Sequence, residues 1–303
     1  MGAGDGDGWV ILPDGSRRWG RYGASGLLLH TRDHAGTEHV LLQRRALWSH
    51  QGGTWGMPGG ARDSGETSVG TALREFGEEV HGVAGVLDHA VLGGIHRQDH
   101  TVWSYDTVLA RLPELWEFSP GNAESIEIRW TPLDDVLELQ LLPALREIWP
   151  ELRAALARRL VIVVDAANTI GHRPDGWWHD RLAATGRLRD LLALLPQHGL
   201  ADADIPEGVA LPPLYRWLPS VVLVTEGAAR GVEPTRGVEV VAAPGSGDDT
   251  IVGVTAEHAR ETCAVVVTAD RELAARCHAV GAHVASPSWL LRMAEARASA
   301  PLP

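Results

Sequence analysis

Residues 60–79 read Gly60-Ala-Arg-Asp-Ser-Gly-Glu66-Thr-Ser-Val-Gly-Thr-Ala-Leu-Arg74-Glu75-Phe-Gly-Glu78-Glu79. The last three glutamates stand at i, i+3 and i+4, a spacing that on a helix points all three carboxylates to one side. Val69, Ala72, Leu73, Phe76 and Val80 supply the opposing apolar stripe that would anchor such a helix to a core. Carboxylates this close repel, and each is pushed toward protonation unless a cation neutralises them. Clustered oxygen donors suit a hard divalent ion, Mg²⁺ or Mn²⁺, rather than zinc. Such an ion bridges phosphate oxygens, offsets the charge that builds up in phosphoryl transfer and activates a water nucleophile. The competing reading is a solvated acidic helix face with an internal Glu66–Arg74 ion pair.

Gly60, five residues, Glu66, seven residues and then Arg-Glu-Phe-Gly-Glu-Glu resembles the Nudix box, and Trp55-Gly-Met-Pro58-Gly59-Gly60 looks like the loop that leads into it. Six fixed positions recur by chance in far fewer than roughly one chain in a thousand at average residue usage. The resemblance implies an α+β Nudix sandwich and metal-dependent hydrolysis of a nucleoside diphosphate linked to another group. It implies that Glu75, Glu78 and Glu79 bind the metal with the carbonyl of Gly59, and that Arg74 and Glu66 form the pair that orients the helix. The family usually places glycine directly after Glu-Glu-Val; here His81 intervenes and Gly82 follows, so Gly82 is expected to end the helix one residue later. Glu75 is the first choice for the base that takes a proton from water. Some family members use a glutamate from a later loop, and Glu124 and Glu127 are the alternatives here. Trp48 and His50 lie upstream of the box as a place for a nucleobase to stack.

A chain of 303 residues is long enough for two cores. Its 45% hydrophobic and 22% charged residues are those of ordinary globular proteins. No apolar run approaches a membrane span, and Met1-Gly-Ala-Gly-Asp-Gly-Asp-Gly lacks the basic start and apolar core of a signal peptide, so a cytoplasmic location is expected. Two cysteines, Cys263 and Cys277, make neither a disulfide framework nor a zinc set. All 27 basic residues are arginine, which excludes a P-loop or Schiff-base lysine. A net charge of -12 argues against a broad basic surface for nonspecific nucleic-acid binding. Arg158, Arg159, Arg173, Arg181, Arg187 and Arg189 still offer a local positive groove. The 12 tryptophans are read chiefly as core and interface filling.

Strand-like stretches at 24–29, 40–42, 83–92, 101–110 and 126–130, with a helix between them, predict an antiparallel-rich α+β domain over residues 1–158. Helical periodicity returns from Leu133 to about Ala157, interrupted near Pro143 and Pro150. From Leu160 the pattern changes to apolar runs alternating with helices: Leu160–Val164, Val221–Val224, Val238–Val241, Ala264–Val267 and the weaker His283–Ala285. That alternation predicts an α/β three-layer domain on a parallel sheet over residues 159–303. The proline-rich stretch 201–219 reads as a flexible insertion.

Within this second half, Asp165 closes the first apolar run and is followed by Ala-Ala-Asn168, Asp270 follows Val265-Val-Val-Thr-Ala, and Asp248-Asp249 precedes a helical stretch. The carboxyl ends of parallel strands converge on one crevice, so these acids can meet. Asp248, Asp249 and Asp270 could each be a helix N-cap, but Asp165 is not explained that way, and an acid directly after a buried strand with others at equivalent ends is better accounted for by a shared divalent metal. The segments resemble the NYN branch of the PIN-like nucleases. The resemblance implies a Mg²⁺ or Mn²⁺ ribonuclease with Asp165, Asp248, Asp249 and Asp270 on the metal. Asn168 would then fix Asp165 or a substrate phosphate, and Glu226 would be an extra ligand.

Three functions follow from these readings. The first is a two-centre enzyme that cuts a nucleotide diphosphate and an RNA strand, with 5′-end processing as the joint task. The second is nucleotide housecleaning with a catalytically silent second domain that binds RNA or nucleotide. The third is a binding module without chemistry. An oligomer is compatible with all three; a membrane partner is not expected.

Overall fold

The computed structural model describes residues 4–172 and 176–303. The chain divides into two compact units, Met1–Leu156 with Pro303, and Ala157–Leu302. No helix among the described residues is long and apolar enough to cross a membrane.

The first unit opens with a hairpin of β1 (Trp9–Ile11) and β2 (Arg17–Trp19), then β3 (Ala24–Arg32), β4 (Glu38–Arg45), β5 (Trp55–Gly56) and β6 (Gly59–Ala61). Helix α1 (Ser68–Glu79) leads into β7 (Val80–His81), followed by β8 (Val91–Asp99), β9 (Ser104–Arg111), β10 (Ser119–Pro120), β11 (Ser125–Pro132) and helix α2 (Pro143–Leu156). Its main sheet runs β11-β4-β3-β9-β8, with β5 on β4 and β6 on β3. The β3–β9 pair is parallel and its neighbours are antiparallel. Leu27, Leu28 and Leu29 of central β3 are fully buried, which is possible only where both faces of the sheet are covered.

Three expectations for the first unit need correction. The stretch 83–92 is not a strand; a 3₁₀ turn at Leu87–His89 precedes β8, which begins at Val91. Pro150 does not interrupt α2 but lies exposed inside it, while Leu145, Ile148, Trp149, Leu152 and Ala155 bury the other face. Burial of that stripe offsets the roughly 3 kcal/mol that an interior proline costs a helix. Gly82 does not end α1. Val80 leaves the helix in extended conformation (φ -126°, ψ 128°) and pairs with Pro120, as His81 pairs with Ser119. Gly82 makes the following turn at φ +91°, where a Cβ would also stand 2.6 Å from the Glu117 carbonyl oxygen.

The second unit carries β12 (Leu160–Asp165), helices α3 (Ala166–Gly171), α4 (Arg181–Leu192) and α5 (Leu194–His198), the short β13 (Arg216–Trp217), β14 (Ser220–Thr225) and β15 (Val238–Ala242). Helix α6 (Gly247–Ala259), β16 (Cys263–Val267), α7 (Arg271–Ala279), β17 (His283–Ala285) and α8 (Pro287–Ala298) complete it. The sheet β15-β14-β12-β16-β17 is parallel throughout. Val161, Val163, Val222, Val224, Ala264 and Val266 pack with Ile251 of α6 and with Leu273 and Cys277 of α7. Ile162, Val164, Leu223 and Val265 are equally buried, so the strands read as unbroken apolar runs. The stretch 201–219 is not a free insertion: an antiparallel bridge joins Leu200 to Trp217, whose side chain is fully buried.

One buried carboxylate ties α1 to the sheet. Asp106 of β9 accepts Arg97 Nε and Nη2 at 2.7 Å each, Arg62 Nη2 at 2.7 Å and the Ser68 hydroxyl at 2.5 Å. Burial alone would raise its pKa, but the Arg97 guanidinium, Ser68 and Arg62 outweigh it and hold the carboxyl below its ordinary value. Removing one partner of such a buried network leaves uncompensated charge. Asp106→Ala should therefore destabilise the first unit by about 3–5 kcal/mol in urea titrations. An unchanged midpoint would show that the network contributes nothing.

Candidate functional site

Helix α1 starts on Thr67, whose hydroxyl accepts the Gly70 N–H at 3.0 Å. Just before it, Glu66 accepts Arg74 Nε at 2.7 Å and Nη2 at 3.0 Å, the Thr71 hydroxyl at 2.9 Å and the Asp63 N–H at 3.1 Å. Led by the Arg74 contact, these donors hold the Glu66 carboxyl down at about 2. The same guanidinium continues along the helix: Nη1 donates to Glu75 Oε1 at 2.6 Å and lies 3.6 Å from Glu78 Oε1, while Nη2 also donates to the Ala61 carbonyl at 2.9 Å. Arg74 is thus bound to Glu66 as the sequence pairing predicts, and it bridges onward to two of the three glutamates.

The three glutamates do not share one exposed face. Glu78 is exposed, Glu75 is half-buried and Glu79 is 5% exposed, because residues 78 and 79 are about 100° apart around an α-helix. The buried stripe is accordingly Ser68, Thr71, Ala72, Phe76 and Glu79, with Val69 and Leu73 only half-buried. Glu79 accepts the Gly59 N–H at 2.8 Å and the Gln43 amide at 3.2 Å. Burial, reinforced by the charges of Glu75 and Glu124, raises the Glu79 carboxyl to about 7 against those two donors. Burial also raises Glu75, opposed by Arg74.

The glycine loop makes room for this arrangement. A Cβ on Gly60 would stand 2.4 Å from Glu75 Oε2, and one on Gly59 would meet the Ser25 carbonyl oxygen and the Gly26 Cα at 2.5 Å. As the side chains lie, no three acidic, histidine or cysteine groups among the described residues converge on one point, since Arg74 holds Glu75 and Glu78 while Glu79 turns to Gly59. The donor set fits a hard divalent cation nonetheless. Its donors are carboxylate oxygens from adjacent helical turns, and two of the three are pushed toward protonation by burial and mutual repulsion.

Around the helix stand residues that no local motif marks. Gln43 of β4 links Glu79 to the Ser125 hydroxyl, which donates to Gln43 Oε1 at 2.8 Å. The Tyr105 phenol of β9 is raised by burial and then by the Glu79 charge, which places it beside the carboxylates. Of the two later glutamates, Glu124 acts electrostatically on Glu79, whereas Glu127 lies 3.5 Å from Arg129 on β11. Trp48 is 70% exposed and His50 is exposed, both in the loop between β4 and β5.

In the second unit the sheet order places β12 at the centre, with chain connections leaving to opposite sides, so the ends of β12 and β16 flank a topological switch point. Asp165 ends β12 and Asp270 follows β16. Asp165 is an N-cap after all: its Oδ1 accepts the Asn168 N–H at 3.0 Å, and its Oδ2 accepts the Thr268 hydroxyl at 3.0 Å. Thr268 Oγ1 in turn accepts the Asp270 N–H at 3.1 Å, and Asp270 caps α7 through the Glu272 and Leu273 N–H groups. Asn168 Oδ1 accepts the Ala269 N–H at 2.8 Å and so joins the two strand ends. Asp248 and Asp249 are not caps, because Ser246 caps α6.

Burial raises the pKa of Asp165, and the charges of Asp248 and Glu226 add to it. Asp248 is raised by its own desolvation and by Asp270. Asp165, Glu226, Asp248 and Asp270 are therefore electrostatic neighbours; Asp249 also raises Asp248 but is paired with Arg276 at 2.5 Å. Glu226 is held by the Gly247 N–H at 2.7 Å. The proposed arginine groove is dispersed. Arg189 binds its neighbour Asp190 and the Glu233 carbonyl, Arg181 lies over the Trp177 ring, and Arg173 falls outside the described residues.

The raised Glu79 carboxyl has a consequence for stability. Between the ordinary carboxylate value of 4.5 and about 7 the folded chain binds more protons than the unfolded one, so stability falls as pH rises through that window. In chelator-treated protein, Glu79→Gln should raise the Tm at pH 8 and change it little at pH 5. Equal shifts at both pH values would show that Glu79 carries no buried charge.

Known proteins match the first unit at the level of family. The NUDIX domain family model matches residues 21–152. A Mycobacterium tuberculosis protein named 8-oxo-dGTP diphosphatase 3, a name that is itself provisional, is 50% identical over 157 residues, 51% of this chain and 72% of that protein. A nucleoside triphosphate pyrophosphatase/Nudix hydrolase fusion protein of Bifidobacterium longum is 43% identical over 155 residues, 50% of this chain and 32% of that one. The solved Nudix hydrolase RenU of M. smegmatis is 42% identical, covering 49% of this chain and 93% of its own, with a TM-score of 0.45. With half its residues matched at this identity across most of the M. tuberculosis protein, the chain belongs to the Nudix family.

Proposed function

We propose that the first unit hydrolyses the diphosphate linkage of a nucleoside polyphosphate, with 8-oxo-dGTP, the substrate in the relative's name, as the first compound to test. The observation that carries this reading is the continuous contact from Glu66 through Arg74 to Glu75 and Glu78, packed on Gly59-Gly60. Glu75, Glu78 and Glu79, with the Gly59 carbonyl, would hold Mg²⁺ or Mn²⁺. When bound, the ion supplies charge neutralisation for the phosphate oxygens.

The protein's own residues do the rest. Arg74 sets the Glu75 carboxylate, and Glu75 or Glu124 takes the proton as water attacks phosphorus and the P–O bond to the leaving phosphate breaks. Trp48 and His50 offer an exposed aromatic surface for the base. Glu78→Gln should lower kcat for 8-oxo-dGTP with Mg²⁺ by about 10²-fold or more, with the Tm unchanged. Wild-type turnover in that variant would remove the helix from the chemistry.

For the second unit, the reading is a metal-dependent nuclease of the PIN-like NYN type acting on RNA. Asp165, Asp248 and Asp270 with Glu226 are the acids, and Asn168 is a positioning residue. Asp249 is the weakest member, since Arg276 holds it. Together with the first unit, such an activity fits 5′-end processing of RNA, in a cytoplasmic enzyme that acts alone or as an oligomer.

One observation favours a second reading. Both oxygens of Asp165 already have donors and Asp270 is occupied as a helix cap, as they would be in a catalytically silent partner of a housecleaning enzyme. Asp165→Asn keeps the cap and removes charge. In the nuclease reading it abolishes Mn²⁺-dependent cleavage of a single-stranded oligoribonucleotide and leaves nucleotide turnover intact. No cleavage by the wild-type chain supports the silent partner.

A further inference from the structure

Beside the acids of the second unit lies a cavity of about 160 Å³, lined by Ala166, Ile170, Trp177, Arg181, Thr185 and Glu226 among others. It adjoins the acid group through Glu226, whose carboxylate is anchored on the Gly247 N–H, and through the start of α3, directly after Asp165. Its aromatic wall is Trp177, with the Arg181 guanidinium carbon 5.0 Å from the ring centroid. An indole ring and a guanidinium group are the kinds of surface that hold an unpaired nucleobase.

A second observation points to the same ligand. Thr185 is fully buried, lines the cavity, and its Oγ1 has no hydrogen-bond partner among the described residues. A buried hydroxyl without a partner is costly unless a ligand supplies one, and the edge of a base carries both donors and acceptors. The volume is below the roughly 300 Å³ at which sites for whole small molecules begin, so it suits one planar ring system rather than an entire nucleotide.

We propose that this cavity seats one nucleobase of a single-stranded RNA, stacked on Trp177 and Arg181 with its edge on the Thr185 hydroxyl, so that the adjoining phosphate lies at Asp165, Glu226 and Asp248. This rests on the nuclease reading for the position of the phosphate, but the base pocket stands on its own geometry.

The test uses the full chain with oligouridylate and oligoadenylate, and with the matching nucleoside monophosphates. Binding is measured by calorimetry in EDTA and cleavage with Mn²⁺. Trp177→Ala should weaken oligonucleotide binding about tenfold and raise the KM for cleavage with kcat nearly unchanged. Thr185→Val should alter the preference between the two oligomers. Turnover of 8-oxo-dGTP by the first unit should be unchanged in both variants, and an unchanged urea midpoint for the second unit reports on its folding.

Cleavage whose KM and binding ignore both substitutions would overturn the pocket and leave the nuclease reading standing. Absent cleavage with Trp177-dependent binding would overturn the nuclease reading and support the pocket. Monophosphate binding that exceeds oligonucleotide binding and depends on Trp177 would show a free-nucleotide site and overturn the RNA assignment. Wild-type protein that neither binds the oligomers in EDTA nor cleaves them with Mn²⁺ would overturn both.

Discussion

The first unit is organised by the repulsion among carboxylates on one helix and by the single guanidinium that makes it tolerable. Arg74 reaches Glu66, Glu75 and Glu78 at once, a forked geometry that a lysine could not reproduce. Glu79 lies beyond its reach and sits buried, satisfied by one backbone N–H and one amide. The neighbourhood follows from that crowding. Gly60 is bare so that Glu75 can lie against the backbone, Gly59 supplies its N–H, and Asp106 pins the start of α1 to β9 so that the carboxylates keep their positions.

Much of this was legible because the chemistry is local. The helix, the Glu66–Arg74 pair and the glycine approach lie within twenty consecutive residues, and spacing alone relates them. The burial of Glu79 was not legible, since i+3 and i+4 look equivalent on paper until the sheet decides which of the two turns inward. Gln43, Tyr105 and Asp106 were invisible because β4 and β9 bring them in from distant sequence, and no pattern within either strand marks a residue that will face a helix. The end of α1 was misplaced for a related reason. The apolar character of Val80 suits the helix stripe, but pairing with Pro120 draws it into a strand.

In the second unit all five apolar runs are strands of one parallel sheet, because strands buried on both faces announce themselves by composition. The ends of those strands were harder to read. An aspartate after a strand and before a helix is at once a cap and an acid facing the crevice, and the structure gives Asp165 both positions. Capping uses one lone pair of one oxygen, so it does not by itself remove a carboxylate from other work. Thr268, which links Asp165 to the Asp270 backbone, shows that the two strand ends are built as one piece. The proline-rich stretch 201–219 reads as a flexible insertion, yet its single tryptophan is fully buried and bridges to Leu200.

Calorimetric titration of the full chain with Mn²⁺, in two buffers of different ionisation heat near pH 6.5, bears most directly on the claim that crowded carboxylates of α1 are built around a cation. The account predicts uptake accompanied by proton release, as the ion displaces the proton held by Glu79, and the loss of that component when Glu75 and Glu78 are both changed to glutamine. Uptake that is undiminished in the double variant, or that releases no proton, would contradict it.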